Sequence, residues 1–298
     1  MSISNLRRPL PSIVKVRRLI DTSHETWRRS IVAEADVTDI ISMELLSSVS
    51  PPDGFWTLQS ARLTAFPTTP LTFEEIKWWE RVAGERPEST TIDRNSVLQA
   101  GPIPGETRLD GNLILVADHT RIQWQIQPKE EDAPPRVQSL GDWQDAIVPF
   151  SELMRKWIQL APPINRLAFG AVLLHPVEDT REGYASLQAF LPFKIDLDSS
   201  DFLFQTNKRI QSDVDPAMPL NRLTKWSVAR VQLLTMSASA MAPPIGRQET
   251  LLTASRLELD INTAPESADP LQPETLGALW DELCELGRKI TEEGVVQW

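Results

Sequence analysis

The segment NLILVADHTRIQWQIQP (Asn112 to Pro128) constrains the fold more than any other stretch of the chain. Leu113 to Val116 predict one strand, Ala117 to Thr120 a turn, and Arg121 to Gln127 a second strand. In that second strand Ile122, Trp124 and Ile126 alternate with Arg121, Gln123, Gln125 and Gln127. Side chains of a strand point to opposite faces in turn, so one face is apolar and the other wet. An antiparallel sheet covered on one side meets that pattern. A chain with 41% hydrophobic and 24% charged residues has the material for such a core.

Helical periodicity supplies the cover. Thr72 to Gly84 predicts a helix, with Thr72 and Glu75 as a capping box, Ile76, Trp79 and Val82 as its stripe, and Gly84 past its end. Ser139 and Asp142 open a longer helix carrying Trp143, Ile147, Phe150, Met154 and Trp157, which Pro149 should kink or split. A last helix starts at Pro273, with Leu276, Trp280, Leu283, Gly287 and Ile290 on one stripe. A shorter one is expected around Arg181 to Phe190.

Strands are expected over Ser12 to Ile20, Phe55 to Phe66, Ile164 to Leu174 (apolar on both faces, hence central), Phe202 to Lys208, Leu220 to Leu234 and Leu251 to Thr263. From Arg86 to Gly111 the sequence loosens and reads as a linker or long loop. The expected fold is therefore α+β: antiparallel sheet covered mainly on one face by helices, with two related halves left open. A boundary at 105/106 would separate an N-terminal α+β segment with a basic start, 1–105, from a C-terminal α+β body, 106–298, the two also being able to pack as one unit.

Charge is uneven. The chain carries a net −11, yet its first thirty residues hold Arg7, Arg8, Lys15, Arg17, Arg18, Arg28 and Arg29 against Asp21 and Glu25. From Arg256 onward ten acids face three bases. Opposite charges of this kind suit docking within one molecule or between two, so a protein partner or self-association is expected. Arg17, Arg18, Arg28 and Arg29 are the interface candidates, joined by the terminal Trp298. The acidic balance argues against nucleic acid as a partner except through the basic N-terminal segment. No secretory signal pattern and no apolar run of membrane-spanning length is present, and the lone Cys284 cannot form an internal disulfide; a cytoplasmic protein is expected.

Two strand starts resemble each other, PPINRLAFGAVLL at 162–174 and MPLNRLTKWSVARVQLL at 218–234, with Asn165 and Asn221 in register. If they belonged to halves about a pseudo-twofold axis, Arg166 and Arg222 would line one rim and offer two guanidinium forks to an anion. The INRL strand, the LNRL segment, the LELDINT strand and the terminal helix also resemble a sporadically distributed, uncharacterised family of bacterial proteins of similar length, over about Leu113 to Val296. That resemblance implies no catalytic residues. The patchy distribution of the family is of the kind associated with bacterial defence or toxin–antitoxin systems.

Catalytic signals are sparse. There is no GxGxxG, no phosphate-binding GxxxxGK[ST], no HExxH, no CxxC and no GxSxG. His24, His119 and His175 lie far apart. Asp196, Asp198 and Asp201 form the one acidic cluster that could hold a divalent cation; Glu258 and Asp260 read as the wet face of a strand, countered by Arg256. The leading expectation is a non-enzymatic interaction or regulatory protein acting in a multi-component assembly, with no cofactor. The alternatives are a metal-dependent enzyme using the aspartates and a binder of a small anion.

Overall fold

The computed structural model describes residues 54–72, 77–105, 109–129, 136–235, 248–265 and 269–295. Arg17, Arg18, Arg28, Arg29, Trp298 and the strand expected over Ser12 to Ile20 lie outside the described residues. Along the chain come β1 (Thr57–Pro67), α1 (Trp78–Ala83), β2 (Ser89–Asp93), β3 (Ser96–Pro102), β4 (Gly111–Asp118), β5 (Ile122–Pro128) and α2 (Trp143–Ile158). There follow β6 (Ile164–Val177), α3 (Thr180–Leu187), β7 (Leu203–Gln211), β8 (Pro219–Thr235), β9 (Gln248–Thr263) and α4 (Pro273–Glu293). The strands form one nine-stranded sheet in the order β2-β3-β4-β5-β1-β6-β9-β8-β7. Apart from the ends of β8 and β9, it belongs to a unit made of Val49–Leu233 and Thr250–Trp298. Among the described residues strand outweighs helix, so the fold is sheet-dominated.

The alternation expected of the hairpin sets which face is buried. Leu113, Leu115, Ala117, Ile122, Trp124 and Ile126 are fully buried, while the residues between them are only partly so. The same face continues through Leu63 of β1, Phe169 of β6 and Leu259 of β9. All four described helices contribute to its cover. Trp79 of α1 lies 5.9 Å from Trp124, and Trp280 of α4 lies 5.6 Å from Phe169 and 6.1 Å from Phe150 of α2. Gly183 of α3 lies against Val228 of β8, where a Cβ would come within 2.7 Å of its methyl. Trp56 and Trp226, which no sequence stripe placed, are buried in a cluster with Phe190.

Three expectations change. Residues 89–102 are not a linker: β2 and β3 form a hairpin at one edge of the sheet, and β3 pairs with β4 across the 105/106 position, so strands on both sides of it share one sheet. Pro149 does not split α2, which runs sixteen residues with Asp142 as its N-cap, accepting from the N–H groups of Gln144 and Asp145. The two NRL strands are not equivalent elements. The central pair, β1 and β6, is antiparallel, and each flanking series runs outward from it: β5-β4-β3-β2 on one side, β9-β8-β7 on the other. The order strand–helix–strands–helix thus occurs from β1 to α2 and again from β6 to α4, with β6 matching β1 rather than β8.

Candidate binding site on the uncovered sheet face

The side of the sheet away from the helices, which no described element covers, carries a connected set of polar side chains over β1, β6, β9, β8 and β7. Arg62 of β1 reaches across β6 to Asp260 of β9, with Nη2 donating to Oδ2 at 3.1 Å. The strand between them must offer no side chain, and it carries Gly170: a Cβ there would lie 2.6 Å from the Arg62 guanidinium carbon. Asp260 Oδ1 accepts from Asn262 Nδ2 at 2.7 Å. Asn262 Oδ1 in turn accepts from Arg166 Nη2 at 3.0 Å and from Asn221 Nδ2 at 3.2 Å. Asn221 Oδ1 accepts from Arg209 Nε of β7 at 3.3 Å. Five adjacent strands are linked by this chain of bonds.

Asn221 and Asn262 are its buried centre, and each uses its amide both to donate and to accept, as buried amides must. Beside them Glu258 of β9 meets Lys225 of β8 at 3.2 Å and Arg256 at 3.0 Å. On this part of the face the described cations are Arg62, Arg166, Arg209, Lys225 and Arg256; the carboxylates are Glu258 and Asp260. In a chain of net charge −11 this is a local excess of positive charge.

Arg166 and Arg222 do not converge. Arg166 shares the uncovered face with Asn262, whereas Arg222 follows Asn221 by one residue and shares the parity of Leu220, Thr224 and Trp226, which are buried on the helix side. Burial pulls the Arg222 pKa below the usual arginine value. The aspartates expected to hold a cation, Asp196, Asp198 and Asp201, form no such site either. Asp198 pairs with Arg181, and the Asp196 carboxylate accepts from the Asp198 N–H at 3.1 Å. Among the described residues no group of three or more His, Cys, Asp or Glu side chains could hold a metal ion.

A cleft of about 370 Å3 opens where the C-terminal end of β1, the start of β6 and the β4–β5 turn meet, with Arg166, Asn165, Phe66, Thr69 and His119 in its wall. Asp118 builds that turn: its Oδ1 accepts from both the N–H and the hydroxyl of Thr120 at 2.8 Å. Burial pushes the Asp118 pKa up, but those bonds and the charge of Arg121 outweigh it and hold the carboxyl below its ordinary value. His119 is tethered through Nδ1 to the Leu71 carbonyl oxygen at 3.1 Å and through Nε2 to Asn95 Oδ1 at 3.3 Å. His175, by contrast, stacks on Phe55 at 3.8 Å and contacts its carbonyl oxygen. Burial raises the Cys284 thiol pKa well above its usual value, so its thiolate is disfavoured.

Among the described residues no helix is long and apolar enough to cross a membrane. Compared with known protein families and with curated proteins, the sequence matches no family model and no curated relative.

Proposed function

We propose that the chain is a non-enzymatic interaction protein that presents the uncovered face of strands β6–β9, together with Arg62, to the acidic surface of a protein partner. The carrying observation is the charge of that face: five cations interspersed with two carboxylates in an otherwise acidic molecule. Such a patch steers an acidic partner and rejects basic ones. Its side chains are already cross-linked, so little of their rotamer entropy is left to lose on binding. Alternating carboxylates and amides suit a protein surface better than a phosphate backbone, which the net charge of the chain also repels. The two related halves belong to the same proposal: a duplicated unit whose second copy became the binding half.

Affinity purification of the full chain from its source cell at low salt, with mass analysis, tests this. The expected result is a stoichiometric acidic partner that elutes by ~0.5 M salt, where screening reaches within a few ångströms, and that is lost from a Lys225→Glu/Arg256→Glu variant. A chain that purifies alone, or a partner indifferent to both salt and that variant, contradicts the proposal.

A further inference from the structure

Arg166 stands apart from Arg62, Lys225 and Arg256, which are held in ion pairs. Its Nε donates to the Thr263 carbonyl oxygen at 3.2 Å, its Nη2 donates to Asn262 Oδ1 at 3.0 Å, and its guanidinium lies 5.0 Å over the Phe66 ring. All three contacts are with uncharged groups. Asp260, the acid next along the network, is taken by Arg62 and by Asn262. The guanidinium is therefore fixed in direction while its charge has no carboxylate among the described residues within ion-pair distance. It has five N–H groups, two of which are used by these bonds.

Arg166 lines the cleft together with Asn165 and the tethered His119. A cleft of about 370 Å3 lies at the small end of ligand sites, and Phe66 and Pro265 give it apolar walls. We propose that this cleft binds an anionic group, a carboxylate or a phosphate, on the unused N–H groups of Arg166, with the Asn165 amide as a second donor. A planar guanidinium can take two oxygens of either anion at once. Arg222, on the other face of the sheet, takes no part. The inference does not depend on the partner surface proposed above, since a small anion needs only the cleft.

Calorimetric titration of the full chain with inorganic phosphate and, separately, with acetate tests it against chloride at matched ionic strength. One saturable site is expected for at least one anion. Binding of phosphate alone assigns a phosphate site, and binding of acetate alone a carboxylate site. Asn165→Asp, which places a carboxylate in the cleft and leaves the Arg166 bonds intact, should weaken binding about tenfold or more; Arg166→Gln should do the same through the lost charge-assisted bonds. The melting temperature of each variant shows whether it is folded, and Asn165→Asp keeps the test decisive if Arg166→Gln is not. No saturation with either anion at millimolar concentration, or affinity unchanged in folded Asn165→Asp, overturns the proposal.

Discussion

The two halves of the sheet share a topology and differ in what they show on the uncovered face. Outward from β1, whose Arg62 joins the charged patch, through β5 and β4 that face is mainly neutral. Gln123 donates to Gln125 at 3.0 Å, Gln125 donates to Gln127 at 3.1 Å, and Ile114 and Val116 lie on the neighbouring strand. From β6 outward to β7 it is charged and held together by two buried asparagines. The strands differ as well: β4 and β5 have eight and seven residues, whereas β8 and β9 have seventeen and sixteen. On the covered side the halves are alike, each built on buried Trp and Leu. A core asks only for shape and apolarity, so it can be repeated, while the face that meets a partner is free to diverge. The chemistry of this protein is to be sought where its halves differ.

The largest effects should be blind to that difference. Trp124→Ala in the first half and Trp280→Ala in the second each remove a fully buried indole, and each should cost ~3–5 kcal/mol in chemical denaturation. Two separate unfolding transitions in either variant would show that the halves are not one cooperative sheet. Next come two helix ends. Gly84 has φ 79° and open space around it, so Gly84→Ala should cost about 1 kcal/mol. Gly294 has φ 65°, and a Cβ there would lie 2.3 Å from the Phe190 carbonyl oxygen, so Gly294→Ala should cost more, roughly 2–3 kcal/mol.

The uncovered face sharpens the contrast. Asn262→Ala leaves Asn221, Arg166 and Asp260 each short of a partner and should cost ~1–3 kcal/mol, whereas Gln125→Ala in the neutral ladder should stay within about 0.5 kcal/mol. Equal losses would mean that the network is only surface decoration. The smallest effect is with pH. Asp118 in the first half is held below its ordinary 3.8, and the bonds from Arg288 hold Glu285 in the second below 4.5. Both folded values are depressed, so their stabilisation is present above the ordinary pKa and lost as pH falls through the folded one. Both side chains are at least a third exposed, which keeps the effect small. The melting temperature should fall modestly below about pH 4, and less so in Asp118→Asn.

Much of the covered face was legible from periodicity. The β4–β5 hairpin, β6 and the stripe of α4 stand where their apolar spacing put them. The β2–β3 hairpin was not legible, because all five residues of β2 are exposed and β3 offers Gln99 and Gly101 to the core side where an apolar residue would mark a strand. The polar face was legible only in pieces. Arg256 beside Glu258 follows from alternation along one strand, but Asp260 finds its cation 198 residues away, which no local pattern records. The NRL motif shows the limit most clearly. The same three residues occur in β6 and β8, yet they sit one residue out of phase with the pleat, so Arg166 is uncovered and Arg222 faces the helices.

The most direct measurement is the affinity of the co-purified partner for two charge variants with the wild-type chain as reference. Lys225→Glu/Arg256→Glu reverses charge on the second half of the face, and Gln125→Glu/Gln127→Glu adds the same sign to the first. A loss of at least ~100-fold is expected for the former, with less than about threefold for the latter and salt sensitivity kept by the wild-type and Gln125→Glu/Gln127→Glu complexes alike. Binding that survives the first variant and fails in the second would contradict that expectation.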